Sequence, residues 1–183
     1  MKKILLCMML AVVAMSSCAD NNKKQQAEAQ PETNTVEVTT DNALATASEN
    51  AAPDFTLNDL SGKPLTLSSL RGKYVILDFW GSWCVWCIKG IPQMKEYYQK
   101  YAGKFEILGI DCNDPEEKWK AAVEKYELPW LHVYNPRDSK VLEQYEIQGF
   151  PTKIIVGPDG KIVKTIIGED PAFYTFLDEL FGH

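Results

Sequence analysis

The feature that most constrains this chain is Trp83-Cys84-Val85-Trp86-Cys87, placed just behind an apolar run from Tyr74 to Trp80. That run reads as a central strand buried on both faces. Gly81-Ser82 supplies a turn. A helix is expected from about Cys84 to Ala102, interrupted at Pro92 and ended by Gly103. Two thiols three positions apart in the first turn of a helix can close a small disulfide ring. The first of them also sits where unpaired amides and the helix dipole favour a thiolate.

The rest of residues 53–183 supplies the elements around this unit. Phe55–Leu57 and Leu65–Leu67 alternate like short strands about a turn at Ser61-Gly62. Ser68 or Ser69 is placed to cap one helical turn ending at Gly72. Phe105–Ile110 is a second apolar strand. Asp114-Pro115-Glu116-Glu117 reads as a cap, a first-position proline and acids in a first turn, opening a helix to about Glu127. A short strand is expected at Trp130–Tyr134 and a short helix at Ser139–Tyr145. Thr152–Val156 and Lys161–Ile167 form strands about Pro158-Asp159-Gly160, and Pro171–Phe181 is a closing amphipathic helix. Strands alternating with helices, followed by a hairpin and a helix, give an α/β fold with a mixed sheet.

The N-terminus has a different character. Lys2 and Lys3 precede a nearly unbroken apolar run, Ile4 to Met15, and then Ser16-Ser17-Cys18. Residues 1–17 therefore read as a secretory signal, too short to span a bilayer as a finished anchor. The run Ala14-Met15-Ser16-Ser17-Cys18 resembles a bacterial lipobox, with Met15 in place of the usual leucine, so Cys18 is the expected lipidation site. Residues 18–52 are rich in Asn, Gln, Thr, Ala and Glu, a composition that buries too little apolar surface to offset its ordering entropy. They read as a flexible acidic linker between the membrane and a domain at 53–183. The whole chain carries a net charge of −6 and two of its lysines lie in residues 1–17, so the exported part is more acidic still. That balance argues against a nucleic-acid partner.

Thiol-disulfide exchange needs a thiolate to attack and a second thiol to resolve the mixed disulfide. Cys84 is placed to attack; Cys87, one turn further in, is expected to be more buried and to resolve. A static disulfide and a zinc half-site are the alternatives. Zinc needs two more ligands, and only Cys112, His132 and His183 are on offer. Asp78 interrupts the apolar strand six residues before Cys84. A buried carboxylate without a partner has a raised pKa and suits proton transfer to and from Cys87. The alternative is an aspartate at the strand edge that reaches solvent. Trp83 and Trp86 are expected to rim Cys84 with apolar surface, while Trp80 belongs to the core. Cys112 reads as an inert buried thiol, with a regulatory or third redox role as the alternative, and His132 as structural.

Asp78-Phe79-Trp80-Gly81-Ser82-Trp83-Cys84-Val85-Trp86-Cys87 resembles the active-site segment of thioredoxin. Pro92 falls where thioredoxins carry a helix-kinking proline, and Gly149-Phe150-Pro151-Thr152 resembles their cis-proline loop. Ala52-Pro53-Asp54-Phe55, Leu70-Arg71-Gly72-Lys73 and the extra helix at 115–127 are similar to the TlpA-like or ResA-like membrane-tethered thiol-disulfide oxidoreductases. The resemblance implies a thioredoxin fold with N-terminal extra strands and an inserted helix. It also implies a redox-active Cys84–Cys87 disulfide, a proton relay at Asp78, and a substrate-binding edge at Phe150 and cis-Pro151 beside Trp83 and Trp86. Two departures stand out. Many members of the subgroup carry a glutamate where this chain has Gly90, and thioredoxin's lysine near the buried acid aligns with Ile107.

The expected function is that of an extracytoplasmic, periplasmic oxidoreductase anchored through lipid on Cys18. It would reduce disulfides of exported proteins, with cytochrome c maturation as one known task of the subgroup. Its partners would be protein disulfides and dithiols and a membrane-embedded electron donor, with no cofactor and no metal. The alternatives are a disulfide oxidase or isomerase, a peroxiredoxin-like peroxidase suggested by the Ala-Pro-Asp-Phe opening, and a metal carrier using the two thiols.

Overall fold

The computed structural model describes residues 50–182. The expected signal segment, the lipidation site Cys18, the linker up to residue 49 and His183 lie outside the described residues.

Near-continuous apolar runs in the central strands, with alternation confined to the outer ones, build one seven-stranded mixed sheet. Its strands are β1 (Thr56–Asp59), β2 (Pro64–Thr66), β3 (Tyr74–Trp80), β4 (Phe105–Asp111), β5 (Leu131–Tyr134), β6 (Thr152–Val156) and β7 (Ile162–Ile167), in the order β2-β1-β5-β4-β3-β6-β7. β3, β4 and β5 are mutually parallel, and β6 runs antiparallel to β3. β7 closes one side as a hairpin with β6, and the β1–β2 hairpin extends the other from β5. The near-continuous apolar run of β3 fits its place in the sheet, between β4 and β6, with every residue after Tyr74 buried.

Side chains leave the two faces of β3 alternately. Ile76 and Trp80 join Phe105, Ile107 and Ile155 in one core, covered by α1 (Val85–Lys100), α2 (Glu116–Lys125) and α4 (Pro171–Phe181). Val75, Leu77 and Phe79 join Leu108, Ile110, Ile154 and Val156 in the other, covered by Phe55, Leu67, Tyr145 and α3 (Val141–Gln144). The chain is tied to the β6–β7 turn just before the expected domain start at Pro53. Ala51 pairs with Lys161, and the Ala52 N–H donates to the Gly160 carbonyl at 3.0 Å.

Three expectations change in detail. The helix after the cysteines runs unbroken through Pro92. A proline there forfeits one backbone hydrogen bond, while Cys87, Ile91 and Met94 hold the buried face of both halves against the sheet. Asp114 does not cap α2: the cap position is Pro115, with no side-chain bond, and the Asp114 carboxylate faces the turn before Cys84. The single turn after β2 is a 3-10 turn, Leu67–Leu70, held by the Asp54 carboxylate accepting from the Ser68 N–H rather than by a serine cap.

Candidate active site

β3 delivers the chain to one end of the sheet, and Gly81-Ser82 turn it into α1. The turn is held from the loop after β4. The Ser82 N–H and hydroxyl donate to the two Asp114 carboxylate oxygens at 2.6 and 2.7 Å, and the Trp83 indole N–H donates to the Cys112 carbonyl at 2.8 Å. Hydrogen bonds to a carboxylate are stronger than neutral ones, so Asp114 acts here as a brace. Gly81 is required by the same packing. A Cβ there would lie 2.5 Å from the Trp83 indole nitrogen and 2.9 Å from the Cys112 carbonyl oxygen. Gly81→Ala is therefore expected to destabilise the fold by about 1–3 kcal/mol and to displace Trp83. Urea denaturation and tryptophan fluorescence check the two effects.

Cys84 is the N-cap of α1, with its Sγ accepting from the Cys87 N–H at 3.1 Å, and it is disulfide-bonded to Cys87. The expectation that Cys87 is the more buried of the two does not hold. Cys84 is 5% and Cys87 6% exposed, because the bonded sulfurs share one environment. What separates them is position: Cys84 stands at the helix end, while Cys87 lies a turn inside, on the buried face. Around the disulfide the surface is apolar. Trp83, Val85 and Trp86 are 50, 63 and 61% exposed, a rare concentration of large apolar side chains on an acidic protein. Trp83 meets Phe150 edge-on, with ring centroids 5.3 Å apart, and the Phe150–Pro151 peptide is cis. The fold thus brings Trp83, Cys84, Trp86, Cys87, Phe150 and Pro151 to one end of the sheet.

Asp78 is buried within the sheet and does not reach solvent at a strand edge; one of its carboxylate oxygens lacks a hydrogen-bond partner. Burial pushes its carboxyl up to about 6, with Lys153 opposing and Glu169 adding to the rise. Neither Lys153 nor Glu169 stands out as a site residue in the sequence. The signal for Lys153 was a lone lysine inside Thr-Lys-Ile-Ile-Val, a strand otherwise fit for burial on both faces. A second buried acid, Asp111, ends β4; burial and the nearby Asp114 charge raise it to about 8. Cys112 is a fully buried free thiol, raised well above its ordinary value by burial and by the neighbouring acids. His132 packs over Gly109 and against Trp80 and Trp130, and burial lowers it to about 3, which keeps it a neutral part of the core. Among the described residues no group of three or more His, Cys, Asp and Glu side chains is arranged to hold a metal ion.

A dithiol pair at a helix N-terminus, on a thioredoxin-like sheet with an apolar rim, defines the class: the protein is a thiol-disulfide oxidoreductase. A family model described as the AhpC/TSA family matches residues 49–165, and the chain belongs to that family. It is 40% identical over 119 residues to a thiol-disulfide oxidoreductase ResA of Bacillus cereus, covering 64% of this chain and 68% of that one. Among solved structures it is similar to the thioredoxin domain of a Bacteroides vulgatus thiol-disulfide oxidoreductase, with a TM-score of 0.66, 36% identity and coverage of 72% and 95%. It is also similar to a putative thiol:disulfide interchange protein DsbE from Chlorobium tepidum, with a TM-score of 0.65, 27% identity and coverage of 71% and 92%.

Proposed function

We propose that this oxidoreductase works outside the cytoplasm, held to a membrane by lipid on Cys18, and reduces disulfides in other exported proteins. Cys84 attacks the substrate disulfide, Cys87 resolves the mixed disulfide, and Asp78 takes up the proton that Cys87 must lose. Trp83, Trp86, Phe150 and Pro151 form the edge on which the substrate docks, with main-chain contacts suited to many sequences. A membrane-embedded donor returns electrons to the Cys84–Cys87 disulfide. Preparation of cysteines for cytochrome c maturation is the substrate class suggested by the resemblance to ResA-like proteins.

The observation that carries the direction of electron flow is how little holds charge on Cys84. In the disulfide form its sulfur accepts one hydrogen bond among the described residues, from the Cys87 N–H, and its rim is apolar apart from the Lys89 ammonium over the Trp86 ring. A strong oxidant needs a reduced form stabilised by its thiolate, and this setting offers the helix end and a single amide. The test is the reduction potential of the Cys84–Cys87 couple, equilibrated against glutathione. A value near that of thioredoxin, about −270 mV, is expected; a value close to about −120 mV would make the protein an oxidant.

A further inference from the structure

The charges beside Asp78 form a cluster that the exchange steps above leave unused. Asp78 and Lys153 are directly opposite each other across the antiparallel β3–β6 pair, which sets their Cβ atoms about 4.5–5.5 Å apart. By strand alternation both point to the face that carries Ile76, Trp80 and Ile155, where Cys87 packs. Lys153 is only 2% exposed, a rare position for an ammonium group. Its Nζ donates to Glu169 Oε2 at 2.9 Å, and the Tyr174 hydroxyl of α4 donates to Glu169 Oε1 at 2.9 Å.

Glu169 stands in the short connection between β7 and α4, yet its carboxylate lies against α1 at Gly90. A Cβ on Gly90 would come 2.5 Å from the Glu169 Cδ and 2.7 Å from its Oε1. Gly90 is a buried helical position whose missing side chain is the space that Glu169 fills. The space left by Gly90 on α1 is thus filled by a carboxylate from a distant segment, which also holds a lysine from β6.

We propose that Glu169 and Lys153 are positioning residues for the proton step: the carboxylate seated in the Gly90 notch holds the Lys153 ammonium beside Asp78, and the two charges together set the pH at which Asp78 exchanges its proton with Cys87. This rests on the reading of Cys87 as the resolving thiol. In that step the Cys87 proton passes to the Asp78 carboxylate and the Cys87 sulfur bonds to Cys84 Sγ. The substrate sulfur leaves as a thiolate and is protonated from solvent. The dithiol is oxidised, the substrate disulfide is reduced, and neither Lys153 nor Glu169 gains or loses a proton.

The ionisable groups acting on this site come from several elements. Lys153 lies on β6, Glu169 before α4, Tyr174 on α4 and Cys87 on α1; beyond the end of β4, Cys112 feels Asp78, Asp111 and Asp114. The β4 residue in register with Asp78 is Gly109, which brings no charge. Lys153 lowers the Asp78 carboxyl and Glu169 raises it, so the two residues have opposite signatures that a purely structural role would not produce.

The test is the carboxyl titration of Asp78, followed by NMR on full-length protein labelled with ¹³C at aspartate, beside the pH–rate profile of disulfide reduction. Glu169→Gln keeps the size and an amide oxygen that accepts from the Lys153 ammonium, so Lys153 stays in place while the charge is lost, and it is expected to move the Asp78 midpoint down by about one pH unit; Lys153→Met is expected to move it up by a similar amount. The double variant Gly90→Asp with Glu169→Ala, which returns a carboxylate to the notch from α1, is expected to bring the midpoint back toward that of the parent. Shifts of the same sign in Glu169→Gln and Lys153→Met, or no shift in either, would overturn the proposal. If Lys153→Met does not fold, Glu169→Gln and the double variant decide it: an unmoved midpoint in the first, or no return in the second, overturns the proposal. The titration reads Asp78 directly, so it stands apart from whether Cys87 resolves a mixed disulfide, which the rate profile reports.

Discussion

Cys84→Ser is expected to bring disulfide reduction down to the uncatalysed background while leaving the fold intact. Exchange proceeds by attack of a thiolate on a disulfide sulfur, and a serine hydroxyl stays protonated and unreactive toward sulfur. The structural cost is small. Cys84 is an N-cap whose side chain accepts a backbone N–H, and serine is among the preferred residues for that task. The lost disulfide spans a sequence separation of three, so it constrains the unfolded chain little. Reduction of a disulfide-bonded test protein should vanish while the circular-dichroism spectrum and the thermal midpoint stay near those of the parent. A variant that still reduces substrate at the parent rate would remove Cys84 from the reaction.

Asp78→Asn is expected to stabilise the protein at neutral and alkaline pH and to slow its turnover. The folded-state carboxyl is raised to about 6 from an ordinary 3.8, first by burial. A raised group binds its proton more tightly in the folded state. Its favourable contribution is therefore complete below pH 3.8 and is lost as pH rises through about 6. Above that the ionised, buried carboxylate costs about 3 kcal/mol, at 1.36 kcal/mol for each pKa unit. Asparagine removes the titration, so its stability relative to the parent should rise by about 2–3 kcal/mol between pH 4 and pH 8. Urea denaturation at the two pH values measures this. General-base assistance is worth at least about a hundredfold, so exchange at pH 7 should slow by about that factor. Stability gained at the expense of rate is the usual mark of a functional buried charge.

The sequence reveals the part of this design that is local. Seven consecutive strand residues with a lone aspartate, a glycine-serine turn and two cysteines at helical spacing suffice to place β3, α1 and the disulfide. Contacts set by register and loop geometry are not legible in that way. Lys153 faces Asp78 because β6 pairs with β3 in one particular register, and nothing within either strand states that register. Glu169 reaches Gly90 only because the β7–α4 connection folds back over α1, so the sequence shows a vacancy at Gly90 where the fold places a carboxylate. Asp114 reads as a helix cap because capping is the commonest use of an aspartate before Pro-Glu-Glu, yet a stronger claim comes from two donors on Ser82. The comparable burial of Cys84 and Cys87 follows from their bond, which spacing permits but does not compel.

The proposed division of labour has Cys84 attacking and Cys87 resolving. It is tested most directly by expressing full-length Cys87→Ser and Cys84→Ser in parallel and isolating disulfide-linked adducts under non-reducing conditions, with mass spectrometry to locate the linkage. Cys87→Ser is expected to accumulate mixed disulfides with other proteins, all joined through Cys84, and Cys84→Ser to accumulate none. Adducts on Cys84→Ser joined through Cys87, with none on Cys87→Ser, would contradict this division.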